Sequence, residues 1–240
     1  MTGKTQGIVL HAITYSDTRL MVHIYTEAYG RMSCVAVRGI RKNAMPGALL
    51  MPLSIIDMEI VRQRVDGLYR LSEVKAAYPL GRLSSDPVRN ALALFLAEVL
   101  FRTLKESGPD GRLFDFLTHS IRLLESTEAG IANFHLAFLL RLLRYLGVFP
   151  DIDSCREGYW FDMKNGVFVD SPPLHSYFLN RDESRILASL FRISYENMSL
   201  YAFSRHERVI ILDRIIAYYR FHLPEVPEIR SLAVLQSLFD

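Results

Sequence analysis

Few residues of this sequence have the types and spacing that enzyme chemistry requires. Gly3-Lys4-Thr5 resembles the end of a phosphate-binding loop, but no glycine precedes Lys4 at the distance that such a loop needs. His206-Glu207 lacks the second histidine of a zinc-hydrolase motif, because the residue four positions after His206 is isoleucine. The sequence therefore disfavours an enzyme, and a hydrolase whose site is assembled from distant segments stays an alternative.

Glu98 lies inside the segment ALALFLAEVLF, which has a helical pattern and is otherwise apolar. A buried carboxylate can be an acid with a shifted pKa, but more often it pairs with an arginine or caps a backbone group. We therefore interpret Glu98 as a structural residue.

Cationic side chains interleaved with tyrosines form a more informative pattern in the first third of the chain. Proteins that bind single-stranded nucleic acid place cations along the phosphates and flat rings beneath the bases. Residues 1–82 carry a net charge of +5 and the remainder −3, which suits a nucleic-acid module joined to a protein-contact module. Solvated edges of a β sheet are the alternative interpretation. The candidate cations are Arg31, Arg38, Arg41, Lys42, Arg62, Arg64 and Arg70, and the candidate rings are Tyr15, Tyr25, Tyr29 and Tyr69.

The elements that must position these side chains are five predicted strands. The strands are QGIVLHAIT, LMVHIYT, MSCVAV, SIIDMEIVR and LYRLSEVKA, with turns at Tyr29-Gly30 and Asp66-Gly67. In the fourth strand, Ile56, Met58 and Ile60 are expected to face inward. Five short strands predict a small closed barrel, because closure removes exposed edges. An OB-fold is the first choice and an SH3-like barrel the alternative.

Residues 81–240 are predicted to be helical, so that the fold class is α+β. Asp86-Pro87 begins the first helix, further helices cover about 110–125 and 129–145, and helices resume near Asp182. Ser204 and Glu207 form a capping box before another helix, and residues 231–239 form a last short one. The segment 151–180 is rich in glycine and proline and predicts a short irregular insert.

The bulk composition agrees with a globular, non-secreted protein. Half of the 240 residues are hydrophobic, which is enough for a substantial core. The apolar stretches are interrupted by charges and are too short for a membrane span, and no signal peptide is visible. Two cysteines suggest a reducing cytosol.

Beyond these patterns, the segment GIVLHAITYSDTRLMVHIYTEAYGRMSCVAVRGIRK resembles the opening of proteins of the RecO family. The shared features are Ser16-Asp17-Thr18-Arg19, the stretch from Thr26 to Gly30, and Arg38-Gly39 followed by Arg41-Lys42. The similarity continues through LYRLSEVKAAYPL, ALALFLAEVLFRTL, LFDFLTHSIRLLE and FLLRLLRYLGVFPDIDSC. It spans roughly residues 4–155 and is looser in the C-terminal helices.

The resemblance implies a recombination mediator in DNA repair that is not an enzyme. It implies an OB-fold DNA-binding domain at residues 1–80 and a helical domain at residues 81–240. Such a protein binds single- and double-stranded DNA and anneals complementary strands. With RecR it assists RecA loading onto DNA coated by single-stranded-DNA-binding protein, whose C-terminal tail it contacts. It would be cytoplasmic and associated with the nucleoid. A protein–protein adaptor with incidental nucleic-acid binding is the alternative function.

Carried over by position, the best DNA-binding candidates are Gly39, Arg41 and Lys42 in one loop, with Arg31 and Arg38 beside it. Arginine offers a planar fork to phosphate, and a glycine-rich loop allows a close approach of the backbone. Arg62, Arg64, Arg70 and Tyr29 complete the predicted DNA-binding set.

The sequence departs from many family members at residues 151–180, which we interpret as a degenerate zinc-finger-like insert. Many members have two C-x-x-C pairs there, whereas here Cys155 stands alone and Gly158 takes the place of the second cysteine. A structural zinc site needs about four ligands, and Cys155 with His175 supplies at most two. We expect no zinc and no other cofactor, and we expect aromatic residues to pack the insert instead.

The resemblance also implies a site for the tail of single-stranded-DNA-binding protein, but it does not identify the residues of that site. An acidic peptide that ends in phenylalanine needs an apolar pocket with a basic rim. Arg122, Arg141 and Arg144 lie among leucines and phenylalanines and are candidates for that rim, or else they belong to ordinary solvent-facing helix sides.

Overall fold

The structure is a computed structural model that describes residues 2–37, 46–62, 68–105, 107–223 and 226–238. The chain forms two compact units. The first unit contains Met1–Ser126 with Ile229–Leu238, and the second contains Thr127–Glu228 with Phe239–Asp240. These units are defined by packing, and the predicted domain boundary at residue 80 stays a prediction.

The first unit begins with five strands that close into a barrel. The strands are β1 (Thr2–Ser16), β2 (Arg19–Thr26), β3 (Gly30–Val37), β4 (Ile55–Arg62) and β5 (Tyr69–Ala76). The order around the barrel is β1-β2-β3-β5-β4, and β4 pairs with β1 to complete the closure. All neighbours are antiparallel except β3 and β5. The predicted five-stranded barrel is therefore confirmed, and it has the OB-fold arrangement.

The barrel core follows the alternation expected of strands. Ile56, Met58 and Ile60 of β4 are buried in it, as predicted, together with Val22 and Ile24 of β2. Gly30 ends the turn between β2 and β3 with a φ of 68°, which favours glycine. The hairpin at Tyr29-Gly30 is confirmed, and the predicted turn at Asp66-Gly67 lies outside the described residues.

The described residues of the first unit also form the α-helices α1 (Gly81–Ser85), α2 (Pro87–Thr103), α3 (Gly111–Ser126) and α7 (Ser231–Leu238). The Asp86 side chain accepts hydrogen bonds from the backbone N–H groups of Val88 and Arg89, so the predicted start of α2 is confirmed. Helix α2 packs against α7 and against β1 of the barrel.

The second unit contains three longer helices and a small sheet. The helices are α4 (Phe134–Tyr145), α5 (Arg181–Leu190) and α6 (Arg205–His222). The sheet has the order β7-β6-β8, formed by β6 (Trp160–Asp162), β7 (Val167–Val169) and β8 (Phe178–Leu179). The predicted capping box of Ser204 and Glu207 is present at the start of α6.

The insert at residues 151–180 therefore contains this small sheet. The buried rings of Phe161 and Phe168 lie 4.9 Å apart, and the partly buried rings of Trp160 and Phe178 lie 5.2 Å apart. Aromatic packing of the insert is thus as expected. Within the described part of the chain, no helix combines the length and the apolar character that crossing a bilayer requires.

Candidate nucleic-acid interface

Part of the predicted DNA-binding set can be placed in the structure. Tyr29, Arg31, Arg62 and Arg70 belong to the described barrel. The other five predicted residues lie outside the described residues, and they are Arg38, Gly39, Arg41, Lys42 and Arg64.

Tyr29, Arg62 and Tyr69 lie at one end of the barrel. Arg62 continues the inward-facing series of β4 and is paired in register with Tyr69, which packs against the barrel core. The Tyr29 hydroxyl lies so close to Gly3 that a Cβ there would be only 2.0 Å away. Gly3 is itself paired with Ile60, two residues before Arg62. This barrel end therefore combines a guanidinium group with two tyrosine rings.

Arg70 follows Tyr69 on the outer side of the same strand. It is paired with Val61 of β4 and with Val35 of β3. The side chains of Arg62 and Arg70 are both exposed, and neither makes an ion pair with a described residue. Both cations are thus available for an anionic ligand as far as the described residues are concerned.

The outer wall formed by β1, β4 and β5 has a different charge balance. Lys4 makes an ion pair of 3.5 Å with Glu73, and Lys75 makes one of 3.6 Å with Asp57. Gln6 also donates a hydrogen bond to Asp57. Because Lys4 and Lys75 are paired within the barrel, their part of the wall is less suited to a polyanion than the positions of Arg62 and Arg70.

Arg31 lies on the wall of the barrel that α2 covers. Its guanidinium carbon is 4.8 Å from the centre of the Phe101 ring, and the same ring contacts His11 at 4.9 Å and His23 at 5.1 Å. The Nε of Arg31 is buried and has no hydrogen-bond partner among the described residues. Arg31 therefore contributes to packing between barrel and helix, and its predicted role in DNA binding stays a prediction.

The histidines of this cluster carry little charge at neutral pH. Burial, followed by the positive charge of Arg31, lowers the pKa of His23 to about 4. Burial and then the charge of Arg102 lower the pKa of His11. Burial lowers the pKa of the Arg31 guanidinium only to about 10, so Arg31 keeps its charge. Sequence reasoning missed His11, His23 and Phe101, because residues so distant in sequence come together only by packing.

Tyr25 was expected to offer a stacking surface, and this expectation is wrong. Its side chain is fully buried, its hydroxyl donates a hydrogen bond to the Gly108 carbonyl, and its ring lies 6.5 Å from Phe114 of α3. The structure thus encloses this ring in the first unit, whereas Tyr15 remains 55% exposed.

Glu98 has the structural role that the sequence indicated. Its carboxylate accepts hydrogen bonds from the backbone N–H groups of Arg230 and Ser231 and from the Ser231 hydroxyl, and it contacts Arg102 at 3.4 Å. Burial opposes ionisation, but the hydrogen bonds from Ser231 and Arg230 outweigh it and lower the pKa of Glu98. Glu98 is therefore an ionised cap at the start of α7.

The three candidates for a partner-binding rim are divided between the two units. Arg122 lies on α3, with its guanidinium 5.1 Å from the Tyr78 ring. Arg141 and Arg144 lie on α4, where they face the Tyr195 and Phe149 rings at 5.1 Å and 3.6 Å. Each of the three is thus placed over an aromatic ring, a contact that cations favour.

An apolar groove of about 340 Å³ lies in the first unit. Tyr78 lines it together with Met51 and Leu94, which are 39% and 42% exposed. Since Arg122 stacks on Tyr78, one of the predicted basic residues lies next to a residue that lines this groove.

The residues of the insert do not fit a zinc site. Cys155 is a free thiol, and His175 is 3.3 Å from Asp162, which also accepts hydrogen bonds from the turn at Lys164 and Asn165. Among the described residues, no group of three or more histidine, cysteine, aspartate or glutamate side chains could hold a metal ion. No step of the proposed function depends on a metal, and the expectation that the protein has no cofactor stays a prediction.

Comparison with known proteins gives matches that cover the chain. The family model described as Recombination protein O N terminal matches residues 1–80, and the model described as Recombination protein O C terminal matches residues 84–232. The chain is 45% identical over 241 residues to a DNA repair protein RecO of Phocaeicola vulgatus, with 100% of both chains covered. It is 42% identical over 242 residues to the Bacteroides fragilis protein of that name, with 100% of both covered. The Flavobacterium psychrophilum protein of that name is 30% identical over 240 residues, with 99% of both covered.

Proposed function

This chain belongs to the RecO family of DNA repair proteins, and from that premise we propose that it is a mediator that binds DNA through its barrel and anneals complementary strands without catalysis. The observation that carries the proposal is the barrel end where Arg62 is exposed beside Tyr29 and Tyr69, together with the exposed Arg70 on the outer side of β5. Cations with no partner among the described residues attract phosphates, and the adjacent rings can stack with bases.

Annealing demands little more than these features. Two single strands repel each other through their phosphates, and a protein that neutralises part of this charge lowers the barrier to pairing. Stacking on tyrosine does not depend on base identity, so it holds a strand without selecting its sequence. Arg31 and the predicted residues outside the described ones, Arg38, Gly39, Arg41, Lys42 and Arg64, complete the proposed DNA-binding set. Double-stranded DNA would be bound through the same phosphate contacts.

We further propose that the protein works with partners of DNA repair, namely RecR, the C-terminal tail of single-stranded-DNA-binding protein and, indirectly, RecA. The groove beside Tyr78 supports this part, because an apolar cavity with Arg122 next to one of its lining residues suits a short acidic peptide with an apolar end. Arg141 and Arg144 remain candidates for a second contact on α4. The expected site of action is the nucleoid.

The test of DNA binding is the salt dependence of affinity for a single-stranded oligonucleotide. Each phosphate contact contributes about 0.7 to the log–log slope, so the double variant Arg62→Ala with Arg70→Ala should reduce the slope by about 1.4. The matched control is Lys4→Ala with Lys75→Ala, which removes the same charge from cations that are already paired. The control should change the slope by clearly less.

Two results would contradict the proposal. A slope near zero for the unaltered protein would remove the electrostatic interface altogether. Equal slopes for both double variants would show that DNA does not contact the barrel at Arg62 and Arg70. Annealing itself is measured with complementary oligonucleotides coated by single-stranded-DNA-binding protein, where the unaltered chain should accelerate duplex formation.

A further inference from the structure

A cleft of about 490 Å³ in the second unit is lined by four arginines. They come from two segments, the loop that follows the 3-10 helix Ile152–Ser154 and the helix α5 with the turn after it. The lining includes Arg156, Arg181, Arg185, Arg192, Cys155 and Tyr159. This cleft belongs to the part of the chain whose overall net charge is negative, so its local excess of cations is not visible in the composition.

Three of these arginines form a line along α5. Arg181, Arg185 and Arg192 are spaced by four and seven residues, which places them on one side of the helix and of the turn that follows it. Their Cα atoms span roughly 16 Å if the helical rise is continued through the turn, so a single phosphate cannot occupy the whole line. The line thus has a length suited to several consecutive phosphates.

The packing of α5 fixes this line beside the loop. The buried Ser184 hydroxyl accepts a hydrogen bond from the Phe161 N–H of β6 and donates one to the Leu179 carbonyl of β8. On the loop side, Arg156 donates hydrogen bonds to the carbonyls of Asp153 and Cys155 at 2.8 Å and 2.7 Å. The guanidinium group of Arg156 is therefore held in place while retaining further N–H donors.

The acidic residues near the cleft do not neutralise it. Asp182 contacts Arg185 only at 3.8 Å, and both side chains are largely exposed. The Glu183 carboxylate instead forms an ion pair of 2.9 Å with the Arg214 guanidinium group. Glu157 is the second carboxylate of the lining, so four cations face two anions. The guanidinium of Arg192 makes no ion pair or hydrogen bond with any described residue.

We propose that this cleft is a second binding site for single-stranded DNA, separate from the barrel, which holds the phosphate backbone through Arg156, Arg181, Arg185 and Arg192. The proposal rests on the proposed DNA-binding function and extends it to the second unit. Arginine forks match the geometry of phosphate oxygens, and Tyr159 in the lining offers a ring to a base. A chain with two such sites can hold two strands at once, which is what annealing needs.

Cys155 provides a local measure of occupancy, because it lines the cleft and is only partly buried. The other cysteine, Cys34, is fully buried in the barrel, and burial raises the pKa of its thiol to about 12. Alkylation by iodoacetamide, followed by mass spectrometry, therefore reports on Cys155. When nine-tenths of the cleft is occupied by a short oligothymidylate, the alkylation rate should fall by about tenfold, in proportion to the free fraction.

The variant that tests the cleft is Arg185→Ala with Arg192→Ala. At an oligothymidylate concentration that protects the unaltered protein, this variant should lose most of the protection of Cys155. The matched control is Lys164→Ala with Arg220→Ala, which removes the same charge from exposed residues of the same unit outside the cleft. The control should keep the protection, as should the barrel variant Arg62→Ala with Arg70→Ala. Thermal unfolding of each variant checks that the fold is retained.

Failure of this proposal can be told apart from failure of the proposed function. If the oligonucleotide binds the chain but Cys155 is alkylated at the rate of the free protein, the cleft proposal is overturned and binding at the barrel stands. If no oligonucleotide binds at low salt, both are overturned. If poly-glutamate protects Cys155 better than oligothymidylate at equal charge concentration, the occupant is an acidic peptide and the assignment to DNA is wrong.

Discussion

The burial of His135 predicts that the second unit loses stability on mild acidification. His135 lies on α4 with 2% of its surface exposed. Burial, followed by the positive charge of Arg208, lowers its pKa from 6.5 to about 3. In the unfolded chain the imidazole regains its ordinary pKa. The folded and unfolded states therefore bind different numbers of protons between these two values.

The sign and size of the effect follow from this difference. Between about pH 3 and pH 6.5 the unfolded state binds the extra proton, so the free energy of unfolding falls as the pH falls. One group contributes at most about 1.4 kcal/mol per pH unit. From about pH 7.5 to about pH 5, His135 should lower the free energy of unfolding by roughly 2 kcal/mol. Asp162, whose pKa is lowered from 3.8, loses its contribution only at lower pH.

The assay is urea unfolding at the two pH values, followed by the fluorescence of Trp160. This is the single tryptophan of the chain, and it lies in the same unit as His135. The variant His135→Gln should be less stable at neutral pH but should lose about 2 kcal/mol less on acidification than the unaltered chain. The control Ser184→Ala also removes a buried polar group but does not titrate, so it should keep the full pH dependence. An unchanged pH dependence in His135→Gln would refute the assignment to His135.

Two further predictions concern the first unit. Glu98→Ala should lower its stability by about 1–3 kcal/mol, because three donors at the start of α7 lose their acceptor, and Glu98→Gln should recover part of the loss in urea unfolding followed by circular dichroism. If Glu98→Ala left the free energy of unfolding unchanged, the cap would not stabilise α7. Gly30→Ala should cost more than about 1 kcal/mol, because φ is +68° and a Cβ would lie 2.3 Å from the Gly108 backbone. The control is Gly47→Ala, whose Cβ meets nothing within 4 Å and which should be nearly neutral. Thermal unfolding of both variants checks this, and equal effects would contradict the reasoning.

The fold was largely predictable because its elements carry strong local patterns. The alternation in β4 and the caps at Asp86 and Ser204 are set by neighbouring residues, and the structure confirms all three. The short helix α1 was not predicted. Its first N–H groups are capped by Glu125, more than 40 residues away, whose carboxylate accepts hydrogen bonds from Arg82 and Leu83. A local pattern does not contain that contact.

The candidate site was less predictable, because the ion-pair partners of its cations and the burial of its tyrosines depend on residues distant in sequence. Lys4 and Arg62 look alike in the sequence, yet only Lys4 has an ion-pair partner among the described residues, Glu73 of β5. Likewise, the alternation of β2 places Tyr25 on the outer face of the strand, where an exposed side chain is expected. Phe114 and the backbone at Gly108 nevertheless enclose it. A period of two distinguishes the two faces of a strand, and it does not tell whether another element covers the outer face.

Several groups with shifted pKa values are engaged by contacts within the protein. In a catalytic site such groups face a cavity and a reacting partner. Here the Glu98 carboxylate is engaged by the start of α7, and the Asp162 carboxylate by the turn at Lys164 and Asn165. The His23 ring lies 5.1 Å from the Phe101 ring, and its Nδ1 is hydrogen-bonded to the Ser33 hydroxyl group at 2.8 Å. Arg62 and Arg70, which have no ion-pair partner among the described residues, retain their attraction for an external anion. If function requires charge rather than proton transfer, DNA binding should respond to salt far more than to pH near neutrality.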